Sequence, residues 1–237
     1  MALLQFKDLL DARAHFGHRK RNWNPKMKPY IYTEKDGLHI IDLRKSVELL
    51  REAYSVVANA AAHGAEFLFV GTKKQAADVI KDAATRVEVS YVNERWLGGT
   101  LTNFSVIRRS IDKYNKLCEG IEHEDFQELS KKEQIRLIRK RDKMERHFKG
   151  IQSMERVPDF LYVIDVINED IAVKEAHLLE IPVVGIVDTN SDPDFVDYPI
   201  PANDDAIESI KLITKVIETA IVEGRSRLEE EPKKSKD

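Results

Sequence analysis

Six aspartates, Asp188, Asp192, Asp194, Asp197, Asp204 and Asp205, crowd the segment VDTNSDPDFVDYPIPANDD directly after the apolar run PVVGI. Carboxylates at the end of a strand can hold a divalent cation or work as general acid and base. Asp188, Asp204 and Asp205 are the candidate ligands, with His18 from the other end of the chain as a fourth, although no metal-ligand spacing fixes the set. The structural alternative has Asp and Asn ending strands, forming Asx turns and capping the helix after Pro201, and it is the stronger reading for most of these residues.

The opposite charge gathers near the N-terminus. HFGHRKRNWNPKMKPYIY sets Arg19, Lys20, Arg21, Lys26 and Lys28 among His15, His18, Asn22, Trp23, Asn24 and two prolines. From Ala12 to Thr33 there are six basic residues, Arg13 being the sixth, and no acidic one, a local field suited to phosphate. The prolines are expected to hold this segment extended, with the aromatic rings offering flat faces for stacking. The alternative is a solvated basic loop with Trp23 tucked into the core; the absence of acid favours RNA or phosphate binding.

Two further motifs could serve the same chemistry. In NERWLGGTLTNFSVIRRS, Gly98-Gly99 allow close backbone approach, Thr100, Thr102 and Asn103 offer hydrogen bonds, and Arg95, Arg108 and Arg109 offer charge. A glycine turn leading to a helix cap at Thr102 or Asn103 explains the same residues without a ligand. VGTKKQ puts Lys73 and Lys74 at a helix start, where backbone N–H groups attract anions. The second glycine and the Gly-Lys-Ser/Thr ending of a nucleotide P-loop are missing, as is a GxGxxG fingerprint.

The net charge of −3 hides this patterning. Glu175 to Ile210 holds nine acidic residues and no Lys or Arg, so the fold is expected to present one phosphate-attracting and one phosphate-repelling surface and to bind RNA in one orientation. Cys118 is the only cysteine, which excludes an intramolecular disulfide framework and a cysteine-built zinc site and fits a reducing, cytoplasmic setting. Charges at Lys7, Asp8, Asp11 and Arg13 break up any signal-peptide core, and no run approaches the roughly 20 apolar residues of a membrane helix.

The elements that must position these groups follow from periodicity. YIYTEKDGLHIIDL reads as two strands about an Asp36-Gly37 turn. Val47, Leu50, Tyr54, Val57 and Ala61 trace a helix over 44–63, stopped by Gly64. EFLFVG, a helix from Lys73 to Arg86, SYVN, DFLYVID, a helix from Glu169 to Leu179, PVVGIVD and a closing helix with Ile207, Ile210, Ile213, Ile217 and Val222 alternate as a doubly wound parallel α/β domain. Residues 103–156 carry no strand signal. Phe104, Ile107, Ile111 and Tyr114 on one arm, and Leu137, Met144, Phe148 and Ile151 on the other, predict an inserted, protruding antiparallel coiled-coil hairpin turning at Gly120–Asp125. Its segment from Lys131 to Lys149 has nine basic and three acidic residues, a solvated face or a contact for RNA or protein. The domain layout is therefore 1–102 with 157–224 as the α/β unit, in which 1–43 hold an N-terminal helix, the basic extension and the hairpin, 103–156 as the insertion, and 225–237 as a charged tail expected to be disordered.

Taken in order, HFGHRKRNWNPKMKPYIY, FVGTKKQA, YVNERWLGGTLTNF, PDFLYVID and EAHLLEIPVVGIVDTNSDPDFVDYPIPANDDAI resemble the successive motifs of the bacterial small-subunit ribosomal protein S2 family, over roughly Leu4 to Ala220. The resemblance implies a flavodoxin-like α/β domain with a protruding coiled coil. It also implies cytoplasmic ribosomes, contact with small-subunit ribosomal RNA near the junction of head and body, and docking of the mRNA-binding ribosomal protein S1 beside neighbouring ribosomal proteins. It implies neither catalysis, a small-molecule substrate, a cofactor nor a homo-oligomer. By motif position it assigns RNA contact to Arg19, Lys20, Arg21, Trp23, Lys26, Lys28, Lys73, Lys74, Arg95, Thr100, Asn103, Arg108 and Arg109. The chain departs from the family pattern at NERW, where a histidine often precedes the arginine and Glu94 can pair with Arg95, and at NSDP, where a cysteine is common. The rival from another class is an α/β enzyme binding a sugar phosphate or nucleotide at the aspartate-rich strand ends, which the fold alone permits.

Overall fold

The computed structural model describes residues 5–234, with side chains described as far as residue 229. Five parallel strands form the central sheet: β4 (Phe67–Val70), β5 (Ser90–Val92), β6 (Phe160–Ile164), β7 (Val183–Val187) and β8 (Tyr198–Pro201), in the order β5-β4-β6-β7-β8. Each inner strand is apolar at every position because both faces are covered. On β4, Phe67 and Phe69 face one core with Tyr162 and Ile164 of β6, while Leu68 and Val70 face the other with Leu161 and Val163. Helices α2 (Leu43–Ala62), α3 (Lys74–Arg86) and α7 (Ile207–Lys234) close the first side; α6 (Asp170–Leu178) and the inserted helices close the second.

The chain leaves β4 toward β5 on one side and resumes at β6 on the other, so the topology switches direction between β4 and β6. In open α/β sheets the crevice at such a point, outside the carboxyl ends of the strands, is where ligands bind. Lys73 and Lys74 follow β4, Asp165 follows β6, Asp188 follows β7, and Asp204 and Asp205 follow β8, so one edge of the sheet collects most of the charged candidates.

A short helix α1 (Phe6–Asp11) and a three-stranded antiparallel sheet precede this domain: β1 (Phe16–Arg19), β2 (Ile31–Lys35) and β3 (Leu38–Ile41), in the order β1-β3-β2. Asp36 and Gly37 both take positive φ, 53° and 74°, as a two-residue hairpin turn requires. The basic segment is not extended as expected. After β1 it winds into two 3₁₀ turns, Lys20–Asn22 and Pro25–Tyr30. Pro25 has the φ of a first helical residue and lacks the N–H that such a position leaves unpaired, while the Asn24 side chain accepts the Lys26 N–H at 3.0 Å.

Three other elements differ from their expected bounds. YPIP, with two prolines, is a strand; it sits at the sheet edge, where a missing donor is tolerated. In the insertion α4 runs Phe104–Glu122 straight through Gly120, and the turn comes later, through a 3₁₀ turn at Glu124–Glu128, before α5 (Lys131–Phe148) begins. Ser130 and Glu133 form a reciprocal capping box that fixes that start. Ile107, Ile111, Tyr114 and Phe148 are buried between the two helices and the sheet, and Arg108 Nη1 donates to the Met154 carbonyl at 2.7 Å, so the base of α4 lies beside the far end of α5. Last, α7 does not stop before a disordered tail but continues through Lys234. A Cβ on Gly224 would stand 2.3 Å from the Ala58 carbonyl, so that glycine permits a close approach of α7 to α2 and does not end the helix. Arg225 then donates to the Val87 carbonyl and Glu223 pairs with Arg227, which ties the next turn down. The last three residues of the expected tail, 235–237, lie outside the described residues.

Candidate nucleic-acid interface

The N-terminal strip is fastened to the carboxyl edge of the sheet. His18 N donates to Thr189 Oγ1 at 2.7 Å, Asn24 N to the Thr189 carbonyl at 2.8 Å, and Asn203 N to the Ala14 carbonyl at 3.0 Å. These bonds bring the acid-free N-terminal stretch onto the acidic stretch that holds no Lys or Arg. Lys26 Nζ lies 2.7 Å from both Asp192 and Asp194, and Lys20 Nζ lies 2.7 Å from Glu34. The expected division into a phosphate-attracting and a phosphate-repelling surface is therefore incomplete: the two stretches are neighbours in the fold and meet through Lys26 with Asp192 and Asp194 and His18 with Asp188, whereas Lys20 pairs within the N-terminal sheet and Arg19, Arg21 and Lys28 have no carboxylate partner among the described residues.

At the switch point an acidic centre surrounds two cations. Lys73 Nζ stands 2.8 Å from Asp204 Oδ1, 2.5 Å from Asp205 Oδ1 and 3.1 Å from Asp165 Oδ2. His18 Nδ1 is 3.1 Å from Asp188 Oδ1, and its Nε2 is 3.6 Å from Asp205 Oδ2. The Asp188 contact, with Asp204 and Asp205 beyond it, outweighs burial and lifts His18 to about 9. Burial first, then the charges of Asp188 and Asp165, push Asp204 up to about 7 against the pull of Lys73. Burial disfavours the charge on Lys73, but Asp204, Asp205 and Asp165 more than offset it and raise its pKa. His18, Asp188 and Asp204 each offer a ligand atom within 4.8 Å of the others, and Asp204 Oδ2 is buried without a hydrogen-bond partner. The remaining acids follow the structural alternative: Asp192 caps Asp194 N, Asp197 accepts Val183 N, and Asn203 caps Asp205 and Ala206.

The candidate RNA contacts separate by what else holds them. Lys20, Lys26 and Lys73 are ion-paired, and Arg108 lies 3.2 Å from Asp112 as well as bonding Met154. Thr100 is corrected: it is buried and its hydroxyl donates to the Leu97 carbonyl at 2.5 Å, so it shapes its own turn and cannot reach a ligand. Trp23 is half-buried, with its ring centroid 5.0 Å from that of His39. Arg19, Arg21, Lys28, Lys74, Arg95 and Arg109 are exposed, and among the described residues none of them has a carboxylate within ion-pair distance; the possible Glu94 pairing with Arg95 is absent there too. Asn103 is exposed at the start of α4 with its amide unused as a cap.

Glu175 had no role in the sequence reading. Its buried carboxylate accepts Trp96 Nε1 at 3.1 Å and Gly99 N at 2.7 Å on one oxygen, and Leu101 N at 2.9 Å, Thr102 N at 3.1 Å and Thr102 Oγ1 at 3.0 Å on the other. Burial raises its pKa, and the backbone donors, Thr102 first, and the indole reverse that so that it lies below the ordinary value. One anion thus moulds the whole RWLGGTLTN loop. Glu169 does similar work at Thr72, whose N–H and hydroxyl it accepts at 2.7 and 2.6 Å.

The family described as Ribosomal protein S2 matches residues 9–224, nearly the whole chain. The chain belongs to the ribosomal protein S2 family. Among curated relatives it is similar to the small ribosomal subunit protein uS2 of Petrotoga mobilis, 51% identical over 225 residues that cover 95% of this chain and 78% of the relative. The uS2 protein of Coprothermobacter proteolyticus is 51% identical over 95% of this chain and 84% of its own length, and that of Fusobacterium nucleatum 51% identical over 97% and 93%. A member of the S2 family is a structural component of the small ribosomal subunit, works on cytoplasmic ribosomes and is not an enzyme. The enzymatic alternative for the aspartate cluster falls with that assignment. Among the described residues no helix is long and apolar enough to cross a membrane.

Proposed function

We propose that the chain binds small-subunit ribosomal RNA near the junction of head and body through the carboxyl edge of its sheet. The observation that carries this is that Arg19, Arg21, Lys28, Lys74, Arg95 and Arg109 are exposed with no carboxylate partner among the described residues, while Lys20, Lys26, Lys73 and Arg108 are neutralised in place. Neutralising phosphates releases counterions and supplies affinity, while Trp23 and the Glu175-held loop give a rigid shape that fits folded RNA. Lys20, Lys26, Lys73 and Arg108 act as positioning residues that hold the strip and the hairpin base.

Two further parts belong to this reading. The helical pair α4 and α5 acts as a coiled-coil arm reaching away from the domain, and the acidic and apolar surfaces left uncovered, including Ile167 just before α6 and Ile171 and Leu178 on it, receive neighbouring ribosomal proteins and help dock ribosomal protein S1. The protein works as a single copy in its particle. The centre of His18, Asp188 and Asp204 is suited to one divalent cation, favoured by the unsatisfied Asp204 Oδ2. Charge reversal at Arg19, Arg21 and Lys28 is expected to abolish incorporation into small subunits while leaving the fold intact; unchanged incorporation would contradict the RNA reading.

A further inference from the structure

Nine basic residues lie between Lys131 and Lys149, and only two of them, Arg141 with Asp142 and Lys149 with Glu145, have a carboxylate partner among the described residues. The third acid of the segment, Glu133, is occupied by the Ser130 cap. Lys132, Arg136, Arg139, Lys143 and Arg146 follow one another at spacings of four, three, four and three, so they share one face of α5, and all five are exposed. At about 100° per residue that face lies roughly half a turn from Met144 and Phe148, which pack inward. The result is a straight row of five bare cations, about 21 Å long at 1.5 Å per residue, on the outer side of the insertion.

We infer that this row is a second phosphate track, which grips one strand of an RNA helix independently of the N-terminal strip. An unbroken line of cations with no carboxylate between them fits a partner that is itself a line of regularly repeated phosphates. A protein partner would need an apolar centre flanked by fewer lysines. Here the only large apolar side chain exposed on α5 is Ile135, in the first turn and beside the row. Exposed like charges at three- and four-residue spacing destabilise an isolated helix, so the row has a physical cost that a polyanion removes. The inference rests on the proposal that the chain binds ribosomal RNA and adds to it a surface and a strand-like target.

The test measures binding of the full-length protein to purified small-subunit ribosomal RNA across a salt series, comparing the unmodified chain with a variant carrying Lys132→Gln, Arg136→Gln, Arg139→Gln, Lys143→Gln and Arg146→Gln. A second variant keeps the charge by exchanging Lys and Arg at the same five positions. The glutamine variant is expected to keep its helix content and thermal midpoint, to bind at least 10-fold more weakly at moderate salt, and to lose roughly 4 from the slope of log affinity against log salt; the exchanged variant is expected to keep the slope. An unchanged slope in the glutamine variant, alongside normal binding by the unmodified chain, overturns this inference alone. Loss of a ribosomal protein contact without any change in RNA slope overturns it in favour of an acidic protein partner. Absence of RNA binding by the unmodified chain would instead strike the parent proposal.

Discussion

Lys73 spans the switch point of the sheet to reach Asp204, Nζ to Oδ1 at 2.8 Å, and so compensates a carboxylate that is fully buried. The same ammonium also serves Asp165 and Asp205. Removing it leaves the buried Asp204 carboxylate, with Asp165 and the half-exposed Asp205 beside it, without its cation. Lys73→Met is therefore expected to destabilise the fold by about 3 kcal/mol, the usual cost of orphaning one side of a buried pair. Adding Asp204→Asn should recover a large part of that loss, and urea unfolding of the single and double variants checks both statements.

His18 titrates the same centre. Its folded pKa of about 9 exceeds the ordinary 6.5, so its contribution is fully present below pH 6.5 and disappears as pH rises through 9. At 1.36 kcal/mol per unit the effect is bounded at about 3 kcal/mol. Asp204, raised to about 7, acts in the same direction at lower pH: its protonated form is favoured by the fold, and that contribution is lost as pH climbs from about 4 through 7. The urea midpoint is expected to fall between pH 6.5 and 9, and His18→Gln should flatten that fall. A midpoint that rises with pH over this range in the unmodified protein would contradict the assignment.

A divalent cation should oppose that destabilisation. If His18, Asp188 and Asp204 bind Zn²⁺ or Mn²⁺, adding the ion raises the thermal midpoint in proportion to the logarithm of its concentration above the dissociation constant, and more so at pH 8 than at pH 6, because His18 must lose its proton to ligate. Asp188→Asn should remove the response.

Glu175 gives a local counterpart. In Glu175→Gln the amide nitrogen cannot accept, so at least one pair of donors among Trp96, Gly99, Leu101 and Thr102 is stranded. A loss of about 2–4 kcal/mol is expected, with faster hydrogen exchange at the Gly99, Leu101 and Thr102 amides. Exchange rates equal to those of the unmodified chain would show that the loop holds its shape without the anion.

The regular elements were legible because their signals are local. Val47, Leu50, Tyr54, Val57 and Ala61 repeat at helical spacing, and Asp36-Gly37 accepts the two positive φ values of a hairpin. A turn over Gly120–Asp125 is only partly met, because a glycine within an otherwise periodic helix costs only about 1 kcal/mol and need not break it, while Ser130-Lys-Lys-Glu133 spells the capping box that starts the returning arm. The strand at Tyr198–Pro201 was hidden by its prolines, which exclude a central strand but not an edge. The site was harder, because its geometry is made by pairs far apart in the chain. Nothing local in NPKMK says that Lys26 will meet Asp192, or in KEAHL that Glu175 will hold a loop 73 to 79 residues earlier. Composition showed which charges were present, and only the sheet topology decided which of them neutralise each other.

Ribosome association is read most directly by sedimentation of the tagged full-length protein from cell lysate through a sucrose gradient at moderate and high salt. The expected result is migration with small subunits and complete ribosomes at moderate salt, weakened in the Arg19, Arg21 and Lys28 charge-reversal variant. A protein that stays at the top of the gradient at both salts would contradict it.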